Sequence, residues 1–137
     1  MRIGFDLDGV IAIPTRKRSL FKMHEFYRTC ILQTSDIPLP EGVHTVYIIT
    51  GRKECFRNIT IQWLRDCDFH YEGIFFFREK EKTFDNLAAH KIEVIRRLGI
   101  EVFFEDTPSI AEKIRREVPS CRIEVVTRKQ WKRHNKA

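Results

Sequence analysis

The sequence predicts an α/β fold, a three-layer sandwich of about five parallel strands with helices on both faces. Three observations carry this. Strand-like and helix-like segments alternate from end to end. The strand segments are nearly continuous apolar runs, the pattern of strands buried on both faces. The chain, with 137 residues of which 42% are hydrophobic and 32% charged, is long enough to close one core and has the composition of an ordinary globular domain.

The first strand is Arg2–Leu7 (RIGFDL), a short apolar run close to the first residue. Ser19–Gln33 carries apolar residues at three- and four-residue intervals and predicts an amphipathic helix with Ser19 as N-cap. Two prolines and a glycine make Thr34–Gly42 a loop. Val43–Thr50 (VHTVYIIT) predicts the second strand, Lys53–Asp66 a helix and Glu72–Phe77 (EGIFFF) the third strand. After a charged connection, Arg78–Phe84, Asp85 is placed as the cap of a helix that runs to Leu98 and ends at Gly99. Ile100–Phe104 is the fourth strand, Pro108–Glu117 a helix with proline in its first turn, and Arg122–Val126 the fifth strand. Residues 1–126 thus make one domain, followed by a basic tail at 127–137.

Composition narrows the function classes. No apolar run approaches the ~18 residues of a membrane span, and the immediate first strand leaves no room for a signal peptide. Cys30, Cys55, Cys67 and Cys121 are scattered, without zinc-ligand spacing, and are expected as buried free thiols in a reducing cytoplasm. The formal charge of +6 favours an anionic partner without identifying it. His24, His44, His70 and His90 lack the mutual spacing of a metal site.

Ligands of parallel sheets bind beyond the carboxyl ends of the strands. Here those ends carry Asp6-Leu7-Asp8-Gly9, Thr50-Gly51-Arg52 and Glu105-Asp106-Thr107. Residues two apart on a strand face the same side, so Asp6 and Asp8 point to one site, and Gly9 allows a sharp turn after them. With Glu105 and Asp106 arriving from another strand, four carboxyl groups converge. The simplest remedy for their repulsion is a hard divalent cation, for which Mg²⁺ with carboxylates, water and a substrate phosphate is the natural choice. A phosphate would also need a hydroxyl and a positive side chain, which Thr50 and a lysine supply. The competing reading is structural: Glu105-Asp106 before Thr107-Pro108 also suits helix capping.

DLDGV, then IITGR, then a lysine on a helix ahead of VFFEDTP, resembles the haloacid dehalogenase (HAD) superfamily, over Arg2 to about Val126. The resemblance implies a Rossmann-like (HAD-type) sandwich and a phosphatase that works on a phosphate monoester through an aspartyl-phosphate. It makes Asp6 the nucleophile and Asp8 the general acid and then base. Thr50, with Gly51 and Arg52 beside it, binds the phosphoryl oxygens, a lysine neutralises charge, and Asp6, Asp8, Asp106 and Glu105 hold Mg²⁺. Lys91, Lys82 and Lys80 are the lysine candidates. Lys91 is preferred because it stands fourteen residues before Glu105 on the helix leading into the acidic strand. Arg52 is close enough to Thr50 to touch substrate, with a surface salt bridge as the alternative. The segments 10–44 and 53–90 are too short for a separate cap domain, so a capless, open site is expected.

The expected substrate is a phosphorylated small molecule or the phosphorylated end of a macromolecule, with no membrane partner, and the oligomeric state stays open. Nucleic acid is a weaker expectation. It rests on Arg16-Lys17-Arg18 behind the acidic loop and on the tail, where Lys129 to Lys136 and Trp131 offer charge and a stacking surface. The alternative function is a non-catalytic phosphate- or nucleic-acid-binding module.

Overall fold

The computed structural model describes residues 1–128. Five parallel strands form the sheet: β1 (Arg2–Phe5), β4 (Thr45–Lys53), β5 (Gly73–Phe77), β6 (Val102–Glu105) and β7 (Arg122–Val125). Their order is β5-β4-β1-β6-β7. The first strand is therefore central, and the chain winds outward from it in both directions. Four α-helices, α1 (Met23–Arg28), α2 (Arg57–Asp66), α3 (Phe84–Leu98) and α4 (Pro108–Glu117), complete a Rossmann-like three-layer fold. Among the described residues, no helix is long and apolar enough to cross a membrane.

Strand periodicity divides the core in two. Ile3, Phe5, Ile48, Val102 and Phe104 pack on one face with Trp63 and Leu64 of α2. Ile49 and Phe103 turn to the other face, against Ile92 and Ile95 of α3 and Ile110 and Ile114 of α4. Gly4 sits where β1 meets Phe103. A Cβ there would lie 2.8 Å from the Phe103 ring, inside contact distance, so the central strand accepts no side chain at this point.

Two local expectations are corrected. The helix predicted over 19–33 is confined to one 3-10 turn at 20–22 and α1, and Ser19 makes no side-chain cap bond. The Thr29 hydroxyl bonds back to the Glu25 carbonyl at 2.8 Å, and Trp63 Nε1 donates to Cys30 O at 2.8 Å. Beyond that point the apolar residues Ile31–Leu32 form β3, which pairs antiparallel with β2 (Ala12–Ile13). An apolar run that suits a helix face suits a short strand equally well. The cap of α3 is Thr83 rather than Asp85: its hydroxyl accepts from Asn86 N, and Asp85 lies inside the first turn. Gly99 ends that helix in the left-handed conformation, as expected. Of the four free thiols, Cys30 and Cys121 are buried, but Cys55 is exposed and Cys67 intermediate. Lys129 to Lys136 and Trp131 of the basic tail lie outside the described residues.

Candidate functional site

β1, β4 and β6 are adjacent in the sheet and parallel, so their carboxyl ends open on one edge. The chain turns after Asp8 at Gly9, whose φ of 83° favours a residue without a side chain. The amides of Val10, Ile11 and Ala12 all bond the Leu7 carbonyl. This compact loop holds Asp6 and Asp8 on the wall of a cleft of about 130 Å³, completed by Arg18, Tyr27, Lys82, Lys91 and Asp106.

Asp6, Glu105 and Asp106 are drawn together: one carboxylate oxygen from each lies within 4.8 Å of the others. The Asp6 carboxyl accepts from Leu7 N at 2.8 Å. Lys91 reaches in from α3, with Nζ 2.5 Å from Glu105 and 3.3 Å from Asp6. Glu105 is fully enclosed; its second oxygen accepts from the amides of Asp106 and Thr107 at 3.0 and 3.1 Å. The residue thus stabilises the turn into α4 as well as contributing charge, which joins the structural reading of the acidic pair to the chemical one. The Thr107 hydroxyl donates to Asp106 at 3.1 Å.

These carboxyls respond differently to their surroundings. Burial, reinforced by Glu105, pushes Asp6 well above the ordinary carboxylate range. Burial and Glu105 likewise raise Asp106 to about 7. Burial would raise Glu105 too, but the Lys91 ammonium together with hydrogen bonds to Lys91, Asp106 and Asp6 outweighs it and carries that carboxyl below its usual value. Lys91 itself is raised: its desolvation is more than offset by Asp6 and Glu105. One buried cation is thus shared between Asp6 and Glu105 and stands closer to Glu105.

Asp8 stands outside that trio. Both its oxygens are taken by Arg52, at 2.8 Å from Nε and 2.7 Å from Nη2. The Arg52 side chain is wholly buried, so its ion pair is internal rather than the surface salt bridge given as the alternative to substrate contact. Its remaining nitrogen donates to Thr60 Oγ1 at 3.0 Å, and the guanidinium lies 3.8 Å from the centre of the Tyr27 ring. Burial alone would lower Arg52, yet the Asp8 carboxylate raises it. Thr50 is also fully buried; its hydroxyl accepts the Arg52 amide at 3.0 Å, and Gly51 is the residue of this segment that reaches the cleft wall. Asp6, Asp8, Gly51, Lys91 and Asp106 thus share the cleft. Thr50 and Arg52 support it from behind.

Lys82, a sequence candidate for the phosphate lysine ranked behind Lys91, also lines the cleft. It is exposed overall, but its amine end folds over Gly51, where a Cβ would lie 3.6 Å from Nζ. Partial desolvation, against the pull of Asp8, holds it below the usual lysine range. Arg18, part of the basic run behind the acidic loop, lines the same cleft, whereas Lys80 stays exposed. The sequence names Lys82 as a candidate, but its approach to Gly51 is a contact between residues distant in sequence.

No family model matches this chain, and no curated protein does. Among solved structures, two chains of the Pnkp1/Rnl/Hen1 RNA repair complex share its fold. One superposes with a TM-score of 0.72 at 17% identity, covering 92% of this chain and 42% of that one. The other gives 0.73 at 18% identity, covering 92% and 45%. The chain spans less than half the length of the proteins it matches. These findings overturn the expected membership of the haloacid dehalogenase superfamily: its short strand-end motifs find no supporting family match, and the structural neighbours are RNA repair complex chains. At this level of identity, the likeness establishes the fold alone, a doubly wound parallel sheet.

Proposed function

We propose that the protein engages the phosphorylated end of a nucleic acid in this cleft and hydrolyses the terminal phosphate monoester with Mg²⁺. The observation that carries the reading is Asp6, a buried carboxyl set between the Lys91 ammonium and two further carboxyls, at the wall of an open cleft. Arg18 and Lys82 on the same wall suit the substrate phosphate. The net charge of +6 favours a polyanion, and the fold's neighbours belong to an RNA repair complex.

The donor set fits a hard divalent cation. Asp6 and Asp106 offer carboxylate oxygens close to Glu105, and oxygen ligands of this kind suit Mg²⁺. Two buried cations, Lys91 and Arg52, face four carboxyls, so a divalent ion would balance the remainder. When bound, Mg²⁺ would reduce the repulsion between carboxylate and phosphate. Asp6 then attacks phosphorus: its oxygen forms the new P–O bond while the ester oxygen departs with the old one. Lys91 keeps Asp6 oriented. When Arg52 gives up one of its two bonds to it, Asp8 takes a proton from solvent water, passes it to the leaving oxygen, and accepts a proton back from the water that attacks the acyl phosphate. Water subsequently hydrolyses the acyl phosphate and regenerates Asp6.

The Asp8–Arg52 pair favours a second reading, binding of a phosphate or nucleic-acid end without turnover, since it engages both oxygens of the nearest proton donor. One experiment separates the two. Purified protein is incubated with Mg²⁺ and with 5′- and 3′-phosphorylated DNA and RNA oligonucleotides, and inorganic phosphate is measured alongside binding. Release that disappears in Asp6→Asn supports hydrolysis. Preference for phosphorylated over unphosphorylated ends without release supports binding alone. Neither effect on any end sinks both readings.

A further inference from the structure

Phe21 is 99% exposed, the most exposed large hydrophobic side chain among the described residues. It occupies the 3-10 turn just before α1, a costly place for an aromatic ring with no contact to protect it. Its surroundings are basic. Arg16, Lys17, Arg18 and Lys22 are exposed around it, and residues 14–22 contain no acid. Glu25 pairs with Arg16 at 2.9 Å, leaving Lys17, Arg18 and Lys22 without an ion-pair partner among the described residues.

This segment is continuous with the cleft on both sides. Arg18 precedes Phe21 by three residues and lines the cleft; Phe26 and Tyr27 follow it on α1 and line the same cleft. Three residues of chain span at most about 10 Å, roughly the reach of one or two nucleotides. An exposed ring among cations, adjoining an acidic phosphate site, has the composition of a single-strand stacking platform.

We propose that residues 16–22 hold a single-stranded nucleic acid beside its phosphorylated end, with Phe21 stacking on an unpaired base and Lys17, Arg18 and Lys22 following the backbone. The inference rests on the proposed function and narrows its substrate to ends with unpaired nucleotides. A base paired within a duplex keeps its faces covered by its neighbours, so only a frayed, overhanging or single-stranded end presents one to Phe21.

The test uses the full chain and fluorescence anisotropy with a 5′- or 3′-phosphorylated single strand, and with a blunt duplex carrying the same end. Wild type is expected to prefer the single strand, and Phe21→Ala to weaken that binding about 5- to 100-fold while changing duplex binding little. Phe21→Trp should restore the affinity and show emission quenched by the single strand, measured as a difference from wild type. Unchanged single-strand binding in Phe21→Ala overturns the platform. Equal loss on single strand and duplex does so as well, and so does a ring that responds only to a protein partner. Wild-type preference for phosphorylated over unphosphorylated ends is read separately: if it persists while Phe21→Ala has no effect, only the platform falls, and if it is absent, the proposed function falls with it.

Discussion

Separating Asp8 from Arg52 should cost different amounts depending on which partner is removed. In Asp8→Ala the guanidinium, with a wholly buried side chain, keeps Thr60 and the Tyr27 ring but loses its only carboxylate partner among the described residues. Removing one member of such a pair costs about 3–5 kcal/mol, because the remaining charge stays desolvated. In Arg52→Met the orphan is Asp8, whose side chain is 21% exposed on the cleft wall, where water reaches it. The penalty there is that of a partly solvated group, about 2 kcal/mol. The double variant removes both charges and should recover at least about 1 kcal/mol relative to the sum of the singles. Urea unfolding followed by circular dichroism reads these differences as shifts in midpoint at constant slope. In thermal melts about 1 kcal/mol corresponds to roughly 3 °C for a chain of this size. The reasoning fails if Arg52→Met costs as much as Asp8→Ala, or if the double variant is simply additive.

In the proposed reading, Mg²⁺ at a hundredfold its dissociation constant stabilises the fold by about 2.7 kcal/mol. The melting temperature should therefore rise by several degrees, return with a chelator, and fail to respond in Asp106→Asn. His90, half-buried, has Nε2 3.0 Å from the Thr50 carbonyl, and desolvation holds it below the usual histidine value. The unfolded chain then binds more protons than the fold as pH falls through 6.5, so stability is present above that value and lost below it. Because Asp6 and Asp106 act in the opposite sense, the readout is the difference between proteins: the unfolding midpoint of wild type relative to His90→Gln should fall as pH is lowered from 7 to 5.

The sheet was legible in the sequence because strands buried on both faces leave continuous apolar runs. The site residues at the strand ends followed from the same alternation, without any knowledge of strand order. What escaped depended on neighbours distant in sequence. Asp8 and Arg52 meet across 44 residues because β1 and β4 are neighbours, with Phe5 opposite Ile48, a register that no local pattern encodes. That register also buries Arg52, for which the sequence left substrate contact and a surface salt bridge as alternatives. Lys82 ranked behind Lys91 because its approach to Gly51 is a tertiary contact. The error over 19–33 had a different origin: the apolar spacing was real, but Thr29 and the β2–β3 pairing ended the helix early. The tight recurrence of short acidic and TGR motifs suggested a superfamily that the comparisons did not support, since motifs of three to five residues identify an edge of the sheet more securely than they identify ancestry.

The distribution of cations at that edge leads to a last prediction. Arg52 serves Asp8, and Lys91 stands closer to Glu105 than to Asp6. Asp6 is left as a buried acid whose ionised form is disfavoured by burial and by Glu105. A folded-state value raised above that of the unfolded chain means that any stability contributed at low pH is lost as pH rises, so Asp6 burdens the fold at neutral pH. Asparagine is close in shape and still accepts the Leu7 amide bond. Asp6→Asn should therefore stabilise the protein at pH 7 in the presence of a chelator, by about 1 kcal/mol, and the gain should shrink or reverse when Mg²⁺ is added. Melting curves of both proteins with and without Mg²⁺ measure this directly. Loss of stability in Asp6→Asn without the cation would mean that the carboxylate is a structural partner of Lys91. A gain confined to metal-free conditions is what a residue kept for chemistry, at the expense of the fold, would give.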